Sequence, residues 1–370
     1  MRDLISKHPM IRQAAELVRY LTMTKRSSSI TIRDVAHRAG VSVATVSRYI
    51  NQNAPVSNEL SERIQQAMDE LDFVPQAAAR HLATQRTNAI GLVLPNMHNP
   101  FFAPMLAGIE EVVRQHEYNL LVATCHPAKR GQRQLPLGPQ NTDGMLAFAD
   151  SLDEAEIQLL YERGFPLVLI HQTPASGLNI PFVTVENKAA TRELVEHLIT
   201  AHGRRRIILL DGPDRHEDAY WREIGYKAAL DAHGIPFDKA LRLPGRFERE
   251  AAYNAMKLFL ADPNHPPFDA IFTGDDDAAV GVYDALKEAA LRIPVDVSVV
   301  GFDDSQMSPF LDPPLTTVAA PTEEVGRSAA RQLLRLLNGQ EAQRETLHPT
   351  KIVIRRSCGC PVDANPYEIA

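Results

Sequence analysis

Cysteine is scarce in this chain, which argues against a metal or redox centre. The 370 residues include only three cysteines, Cys125, Cys358 and Cys360. Cys358 and Cys360 form a Cys-Gly-Cys pair, but two thiols without a histidine or cysteine cluster nearby make a poor metal or redox site. We therefore expect reduced, inert thiols, with no metal and no cofactor.

Long apolar runs are also missing. No stretch approaches the roughly 18 to 20 uninterrupted apolar residues that cross a membrane, and Arg12, Glu16 and Arg19 interrupt the apolar core that a secretion signal would need. The chain further lacks a nucleophile elbow, a phosphate-binding glycine loop and a cluster of metal ligands, which mark several enzyme classes. We expect a cytoplasmic protein that is not an enzyme and does not contact a membrane.

The charge of the chain is unevenly distributed. The net charge is −7, and 44% of the residues are hydrophobic, which is enough for more than one domain core. Residues 1–86 carry 12 Lys and Arg against 8 Asp and Glu, a net +4, and the remaining residues carry 27 against 38, a net −11. A basic head on an acidic body is typical of a protein in which only one part touches phosphate.

Residues 30–51, ITIRDVAHRAGVSVATVSRYIN, contain the most informative pattern. Thr31 is placed to cap a first helix, Gly40 to end it in the left-handed conformation, and Ser42 to cap a second helix. The pattern predicts a helix-turn-helix whose second helix reads DNA, although any pair of short amphipathic helices can show it. Apolar residues recur at helical spacing in both helices: Val35, Ala36 and Ala39 in the first, and Val43, Val46 and Ile50 in the second.

The residues after the motif decide between these alternatives. Ser57 begins a third helix whose apolar stripe can close a three-helix core, and FVPQAAARHLATQRTNAIGLVLP comes next. In that order, TIRDVAHRAGVSVATVSRYIN, the third helix, VPQAAARHLA and AIGLVLP resemble the lactose/galactose-repressor (LacI/GalR) family of bacterial transcription regulators. The resemblance extends from about residue 30 to about residue 357. Residues 1–29 precede the point where the family usually begins, and we expect a misplaced start or a loosely ordered extension there.

The resemblance implies a homodimer, or a dimer of dimers, that places each recognition helix in the major groove of a near-palindromic double-stranded operator. Val43 and Ala44 open this helix and offer only apolar contact to bases. Arg48 can donate two hydrogen bonds to guanine O6 and N7, although a phosphate contact is the alternative. Polar residues complete the predicted contact set: Thr45, Ser47, Asn51 and Ser57, which suit phosphate oxygens, together with Thr31 and Ser42.

Residues 76–83, QAAARHLA, are strong helix formers but fall short of the roughly 12 to 15 residues that an isolated helix needs in water. We expect this hinge helix to order only on DNA. In the family it pairs with its dimer mate in the minor groove, so the resemblance implies DNA contacts from Gln76, Ala79 and Leu82. Leu82 would wedge into the central base step, and the alternative is that it packs against the body. Gln76 stands where the family commonly has Asn.

From Asn88 onward, short apolar strands alternate with helices, which predicts two parallel α/β layers. The resemblance implies an all-α helix-turn-helix head with a hinge helix, followed by a periplasmic-binding-protein-like α/β effector domain of two subdomains. We expect an N-terminal extension at 1–29, the DNA-binding domain at 30–75, hinge and linker at 76–87, the effector-binding and dimerisation domain at 88–360, and a tail at 361–370. Within the effector domain, about 88–185 plus 319–349 would form one subdomain and 186–318 plus 350–360 the other.

Ligands of open α/β sheets bind beyond the carboxyl ends of the strands, so the loops there hold the candidate effector-binding residues. The loop NMHNPFF resembles the family's effector loop and supplies Asn99, Phe101 and Phe102. Arg222 matches the family arginine that grips vicinal hydroxyls or a carboxylate, and Asp276 matches the acceptor that faces it. The alternatives are a surface charge for Arg222, a core position for Phe102 and a helix cap for Asp276.

Two departures from the family concern the ligand. His171 and Gln172 stand where the family usually has an aspartate, so a ligand that has fewer hydroxyls or bears an anion is one alternative. Residues 129–139, KRGQRQLPLGP, replace a helix, and their prolines and glycine predict a loop. His171 completes the predicted effector set, and the effector that we expect is a sugar or sugar derivative.

Three functions compete at this point. A transporter's solute-binding protein shares the two-lobed body but would have a signal peptide in place of residues 30–86, and an enzyme built on the same layers would need one of the missing motifs. The leading hypothesis is a repressor whose operator affinity changes when a small molecule binds. The direction of that change stays open.

Overall fold

The computed structural model describes residues 30–51, 54–73, 86–125 and 135–361. The chain divides into two compact units between Thr87 and Asn88, and each unit is described by itself. The predicted extension at 1–29 and the predicted DNA contacts of Gln76, Ala79 and Leu82 lie outside the described residues.

The smaller unit is a bundle of three short helices, α1 (Ile32–Ala39), α2 (Val43–Asn51) and α3 (Asn58–Glu70). Gly40 has a φ of +65° and ends α1, which lets the chain turn directly into α2. The predicted helix-turn-helix and third helix are confirmed. Buried apolar side chains from all three helices form one core: Val35, Ala36, Ala39, Val46, Ile64 and Ala67.

The larger unit begins with a six-stranded parallel sheet. In spatial order its strands are β11 (Glu345–His348), β5 (Phe182–Val185), β4 (Leu167–Ile170), β3 (Gly144–Phe148), β1 (Ala89–Leu94) and β2 (Asn119–Thr124). All six residues of β1, AIGLVL, are buried, as expected for a strand covered by helices on both faces. The helices of this half are α4 (Phe102–Gln115), α5 (Glu154–Glu162) and α10 (Thr322–Leu337).

The other half of the larger unit is built on a four-stranded parallel sheet. Its strands, in spatial order, are β7 (Arg242–Pro244), β6 (Ile207–Asp211), β8 (Ala270–Thr273) and β9 (Ser298–Val300). Its helices are α6 (Lys188–His202), α7 (Glu217–Ala232), α8 (Arg249–Ala261) and α9 (Asp276–Glu288). Two parallel α/β layers are thus confirmed.

Three chain segments connect the halves: the one after β5, and the antiparallel strands β10 (Thr317–Ala319) and β12 (Lys351–Val353). Within the described part of the predicted loop, residues 135–139 form bends and a turn and no helix. Nowhere in the described ranges is a helix both long enough and apolar enough to cross a membrane.

Candidate DNA-binding surface and effector site

The caps of the first two helices set the geometry of the helix-turn-helix. Ser42 caps α2 as predicted, because its Oγ accepts a hydrogen bond from the Thr45 amide at 3.1 Å. Thr31 stands at the N-cap of α1, where its amide and hydroxyl both donate to the Asp34 carboxylate, at 2.8 and 2.7 Å. Arg63 of α3 donates to the carbonyl of Ala39 at 2.7 Å and so ties the end of α1 to the third helix.

The start of α2 presents its side chains to solvent. Ser42, Val43, Ala44 and Arg48 are exposed, and Val43 has 42% of its surface accessible although it continues the apolar spacing of the helix. An apolar side chain in this position is available for contact with a base. Of the remaining predicted contacts, Thr45 and Ser47 are half-buried, Ser57 is exposed at the N-cap of α3, and the side chain of Asn51 lies outside the described set.

In the larger unit, a cavity of about 390 Å³ opens between the two sheets. Loops from both sheets line it where parallel strands end: Asn96 after β1, Phe148 at the end of β3, Pro213 after β6, Asp275 after β8 and Asp303 after β9. The carboxyl edges of two parallel sheets therefore face one space, which is where α/β proteins bind ligands. Its volume falls at the small end of the range of about 300 to 1,000 Å³ typical of ligand sites.

Arg222 of α7 lies at the floor of this cavity and is 3% exposed. Its guanidinium donates to Asn187 Oδ1 at 2.8 Å, to the carbonyl of Gly274 at 2.5 Å and to Asp303 Oδ1 at 3.3 Å. It also stacks on the ring of Phe302, 3.7 Å from the ring centroid. Arg222 is therefore a buried hub that holds several loops of the second sheet in place, and the surface-charge alternative is wrong.

Carboxylates surround this guanidinium. Burial raises the pKa of Asp275 to about 7 and that of Asp303 well above its ordinary value, although Arg222 lowers both. Burial also acts on Asp218, but the charge and hydrogen bond of His171 and the charge of Arg222 outweigh it, so that the pKa of Asp218 is lowered. The cavity thus combines the buried guanidinium of Arg222 with carboxyl groups that accept or donate hydrogen bonds according to pH.

The aromatic residues of the effector loop divide into cavity and core. Phe101 and Phe102 both line the cavity, and Phe102 is only 5% exposed because it also packs in the core of the first half. Asn99 donates to the carbonyl of Phe247 at 3.2 Å, a contact that crosses from the first half to the second. Asn99, Phe101 and Phe102 of the predicted effector set thus line this cavity, and Phe102 belongs to the core as well.

His171 stands apart from the cavity lining. It is 1% exposed, and its Nδ1 lies 2.7 Å from Asp218 Oδ2, so that it pairs the end of β4 with α7. Its ring contacts Phe101 and Phe148 at centroid distances of 5.8 and 5.3 Å. Asp218 and Phe101 do line the cavity, and His171 lies behind them and contacts both.

Asp276 does not line this cavity either. Its two carboxylate oxygens accept hydrogen bonds from the hydroxyls of Ser308 and Thr317 and from the amide of Ser305, at 2.5, 2.7 and 2.8 Å. Its neighbour Asp275 is the cap of α9, accepting from the Ala278 amide at 2.9 Å, and lines the cavity. The cap alternative therefore applies to the preceding residue, since the helix begins at Asp276, one position earlier than an Asp276 cap requires.

Several cavity residues were missed by the sequence reasoning, among them His216, Phe247 and Asp218. His216 is buried, burial lowers its pKa, and its Nδ1 has no hydrogen-bond partner within the described part of the chain. Phe247 packs its ring against Gly212 and Gly274, where an added Cβ would lie 2.3 and 2.5 Å from ring atoms. Asp218 lies one turn before Arg222 on α7. The polar cluster DRHED after β6 was the available signal for Asp218 and His216, and no pattern marks Phe247.

Comparison with known proteins agrees with this architecture. Residues 31–76 match the family described as bacterial regulatory proteins, lacI family, and residues 195–358 match the periplasmic binding protein-like domain. The ribose operon repressor of Haemophilus influenzae is 34% identical over 331 residues, which cover 88% of this chain and 98% of the repressor. The transcriptional repressor CytR of Escherichia coli is 32% identical over 337 residues, 90% and 97% of the two chains.

Solved structures show the same likeness. The lac repressor dimer bound to operator and an anti-inducer superposes with a TM-score of 0.74 at 26% identity and covers 90% of this chain and 99% of its own. The regulator CelR in complex with cellobiose gives a TM-score of 0.63 at 30% identity over 89% and 99% of the chains. With a helix-turn-helix, a two-sheet cavity and relatives matched over nearly their whole length, this chain belongs to the LacI family of bacterial transcription regulators.

Proposed function

We propose that this protein is a sequence-specific transcriptional repressor whose operator affinity is set by a small molecule bound between the two sheets of the larger unit. One observation carries the proposal: a chain with a helix-turn-helix also holds a cavity at the joined carboxyl edges of two parallel sheets. A dimer would present two recognition helices to a near-palindromic operator. In this proposed role the protein acts in the cytoplasm and catalyses no reaction, and it is similar to a ribose operon repressor and to the lac repressor.

The lining of the cavity favours a sugar or sugar derivative as the effector. Vicinal hydroxyls both donate and accept hydrogen bonds, and the cavity offers carboxyl acceptors and the Nδ1 of His216, with the positive charge of Arg222 beneath them. The rings of Phe101 and Phe247 can cover the apolar face of a pyranose or furanose. The volume of about 390 Å³ suits a monosaccharide-sized ligand. Ribose is bound by another LacI-family regulator of solved structure, at a TM-score of 0.65 and 26% identity.

Asp275 and His216 are the residues that we assign to direct ligand contact. All three nitrogens of the Arg222 guanidinium already donate to protein acceptors, so that arginine mainly fixes the charge of the floor. Asp275 uses Oδ1 for the cap of α9, which leaves Oδ2 for a ligand hydroxyl. The unpartnered Nδ1 of His216 is the second candidate, because a buried polar atom without a partner destabilises the fold unless a ligand supplies one.

A thermal-shift screen tests the effector half of the proposal. Pentoses, hexoses, sugar phosphates, nucleosides and small acids are added to the full chain, and a ligand at a hundred times its Kd should stabilise it by about 2.7 kcal/mol. Asp275→Asn keeps a residue that caps helices well but replaces the carboxylate, so that it should bind the identified ligand about tenfold more weakly. Asp231→Asn, on the exposed face of α7, is the matched control. Equal affinity in both variants contradicts the assignment of Asp275.

The DNA half is tested by selection of sites from a pool of random duplexes. We expect the full chain to enrich a near-palindromic sequence and to bind it in a salt-dependent way. Adding the ligand found in the screen should change the affinity for that site and leave nonspecific binding unchanged. Failure to enrich any sequence contradicts the repressor proposal, whereas an enriched site whose affinity no screened ligand changes contradicts only the effector half.

A further inference from the structure

The two thiols at the end of the described chain face two histidines of α6. Donor atoms of His197, His202, Cys358 and Cys360 all lie within 4.8 Å of one another. Cys360 Sγ is 3.5 Å from His197 Nε2 and 3.4 Å from His202 Nε2. The premise that no histidine cluster lies near this Cys-Gly-Cys pair is therefore wrong, since the partners come from a helix about 160 residues earlier.

The distances from Cys360 Sγ to the two histidine nitrogens fit binding of all three atoms to one tetrahedral ion. Zinc binds thiolate sulfur at about 2.3 Å and imidazole nitrogen at about 2.0 Å, so that a sulfur and a nitrogen on the same tetrahedron are about 3.5 Å apart. Both measured distances from Cys360 to histidine agree with that edge length. Two cysteines and two histidines are also a ligand set that selects zinc over magnesium or calcium, which prefer oxygen.

The local backbone favours this arrangement. Gly359 has a φ of +114°, a conformation that residues with a side chain rarely adopt, and it lets the chain bend so that the flanking cysteines approach the same helix end. A Cβ at Gly359 would lie 3.0 Å from Nδ1 of His202, so a larger residue would also press on one of the proposed ligands. Behind the site, the hydroxyl of Thr316 lies 3.2 Å from Cys358 Sγ and can donate to a thiolate there, as groups around bound metals commonly do.

We propose that His197, His202, Cys358 and Cys360 bind one zinc ion. Four protein ligands fill a tetrahedral site and leave no position for a substrate, so the ion is structural. It would fasten the segment that follows β12, one of the three connections between the halves, to the C-terminal end of α6. The alternative is a cluster of thiol and imidazole hydrogen bonds without metal.

The direct test is the metal content of the full chain, purified without a polyhistidine tag and dialysed against zinc-free buffer. Inductively coupled plasma mass spectrometry should find about one zinc per chain in the parent. Cys360→Ser should lose nearly all of it, and Cys125→Ser is the matched control, because Cys125 is a buried cysteine of the other half and should change nothing. Equal zinc in Cys360→Ser and the parent, or less than a tenth of an ion in the parent after incubation with zinc, overturns the proposal.

A second measurement does not depend on the folding of a variant. The parent is stripped with a chelator and titrated with Co²⁺, which reports its own coordination. A tetrahedral site with two thiolates should give intense visible absorption bands and a sulfur-to-cobalt charge-transfer band in the near ultraviolet, and one equivalent of zinc should abolish both. If the titration gives no more than the weak absorption of octahedral cobalt, the cluster is held by hydrogen bonds alone and the zinc proposal is wrong. Because effector and DNA are absent from the assay, failure here leaves the proposed function untouched.

Discussion

Replacing Arg222 with methionine should destabilise the larger unit by about 4 kcal/mol at pH 8. Methionine keeps an unbranched side-chain stem but lacks the guanidinium, so it removes the three hydrogen bonds to Asn187, Gly274 and Asp303. It also leaves Asp303 buried without its cation, and breaking a buried ion pair in this way typically costs about 3 to 5 kcal/mol. A domain stable by about 5 to 15 kcal/mol survives that loss, so the variant should fold and can be measured.

The destabilisation caused by Arg222→Met should be larger at high pH than at low pH. Burial already raises the pKa values of Asp275 and Asp303, while Arg222 lowers both, so its removal raises them further. Carboxyl groups with raised pKa values hold protons in the folded state that the unfolded chain releases near pH 4. The folded state then binds more protons than the unfolded state, and its stability falls as pH rises. The deficit should therefore be smaller by about 1 kcal/mol at pH 5.5 than at pH 8.

Urea denaturation followed by tryptophan fluorescence measures the free energy of unfolding of the parent and of Arg222→Met at both pH values. Trp221 is the sole tryptophan of the chain and lies beside Arg222 on α7, so its emission reports the unfolding of the larger unit. Arg163→Met, at the exposed end of α5, removes a surface guanidinium and should change the free energy of unfolding by less than about 0.5 kcal/mol. A deficit below about 1 kcal/mol for Arg222→Met at pH 8, or an equal deficit at both pH values, would refute the reasoning.

Three further predictions concern other parts of the chain. Arg48→Ala should weaken operator binding by about 1 to 3 kcal/mol and relax base preference at one symmetric pair of positions, measured by fluorescence anisotropy; uniform weakening on all sequences would show a phosphate contact instead. Gly108→Ala should destabilise the larger unit by about 1 to 3 kcal/mol, measured by urea denaturation, because its Cβ would lie 2.1 Å from the carbonyl oxygen of Glu323 on α10. An unchanged urea midpoint would mean that α4 and α10 can move apart at little cost in free energy. Effector affinity from calorimetry should rise between pH 6 and pH 8, because a hydroxyl donated to Asp275 favours the ionised form of a group with a pKa of about 7, and this slope should vanish in Asp275→Asn.

The helices and sheets of this protein were predictable because their signals are local. Ser42 caps α2 and Gly40 ends α1, and both conformations depend on the residue itself and on two or three neighbours. Val35 and Ile64 are fully buried, as the helical spacing of apolar residues predicts. The alternation of apolar strands with helices likewise indicated two α/β layers before any pairing of strands was known.

The details of the site were harder to predict because they depend on register and on distant partners. Asp275 and Asp276 differ by one position, yet a helix turns by about 100° per residue, and only one of them reaches the cavity. His171 follows a buried strand as expected, but its ring pairs with Asp218 of the other half and does not line the cavity. The grouping of Cys360 with His202 depends on how β12 returns to α6, which no local pattern encodes.

The ring of Phe247 limits which residues two other positions can accept. The nearest atoms to a Cβ built on Gly212 all belong to that ring, and the first of them would be only 2.3 Å away. Residue sizes at positions 212 and 247 must therefore vary in opposite directions among relatives that keep this backbone. A laboratory selection that starts from Gly212→Ala should recover function through a smaller residue at position 247. Substitutions at the two positions are therefore expected to depend on each other, and neither position alone explains which residues it accepts.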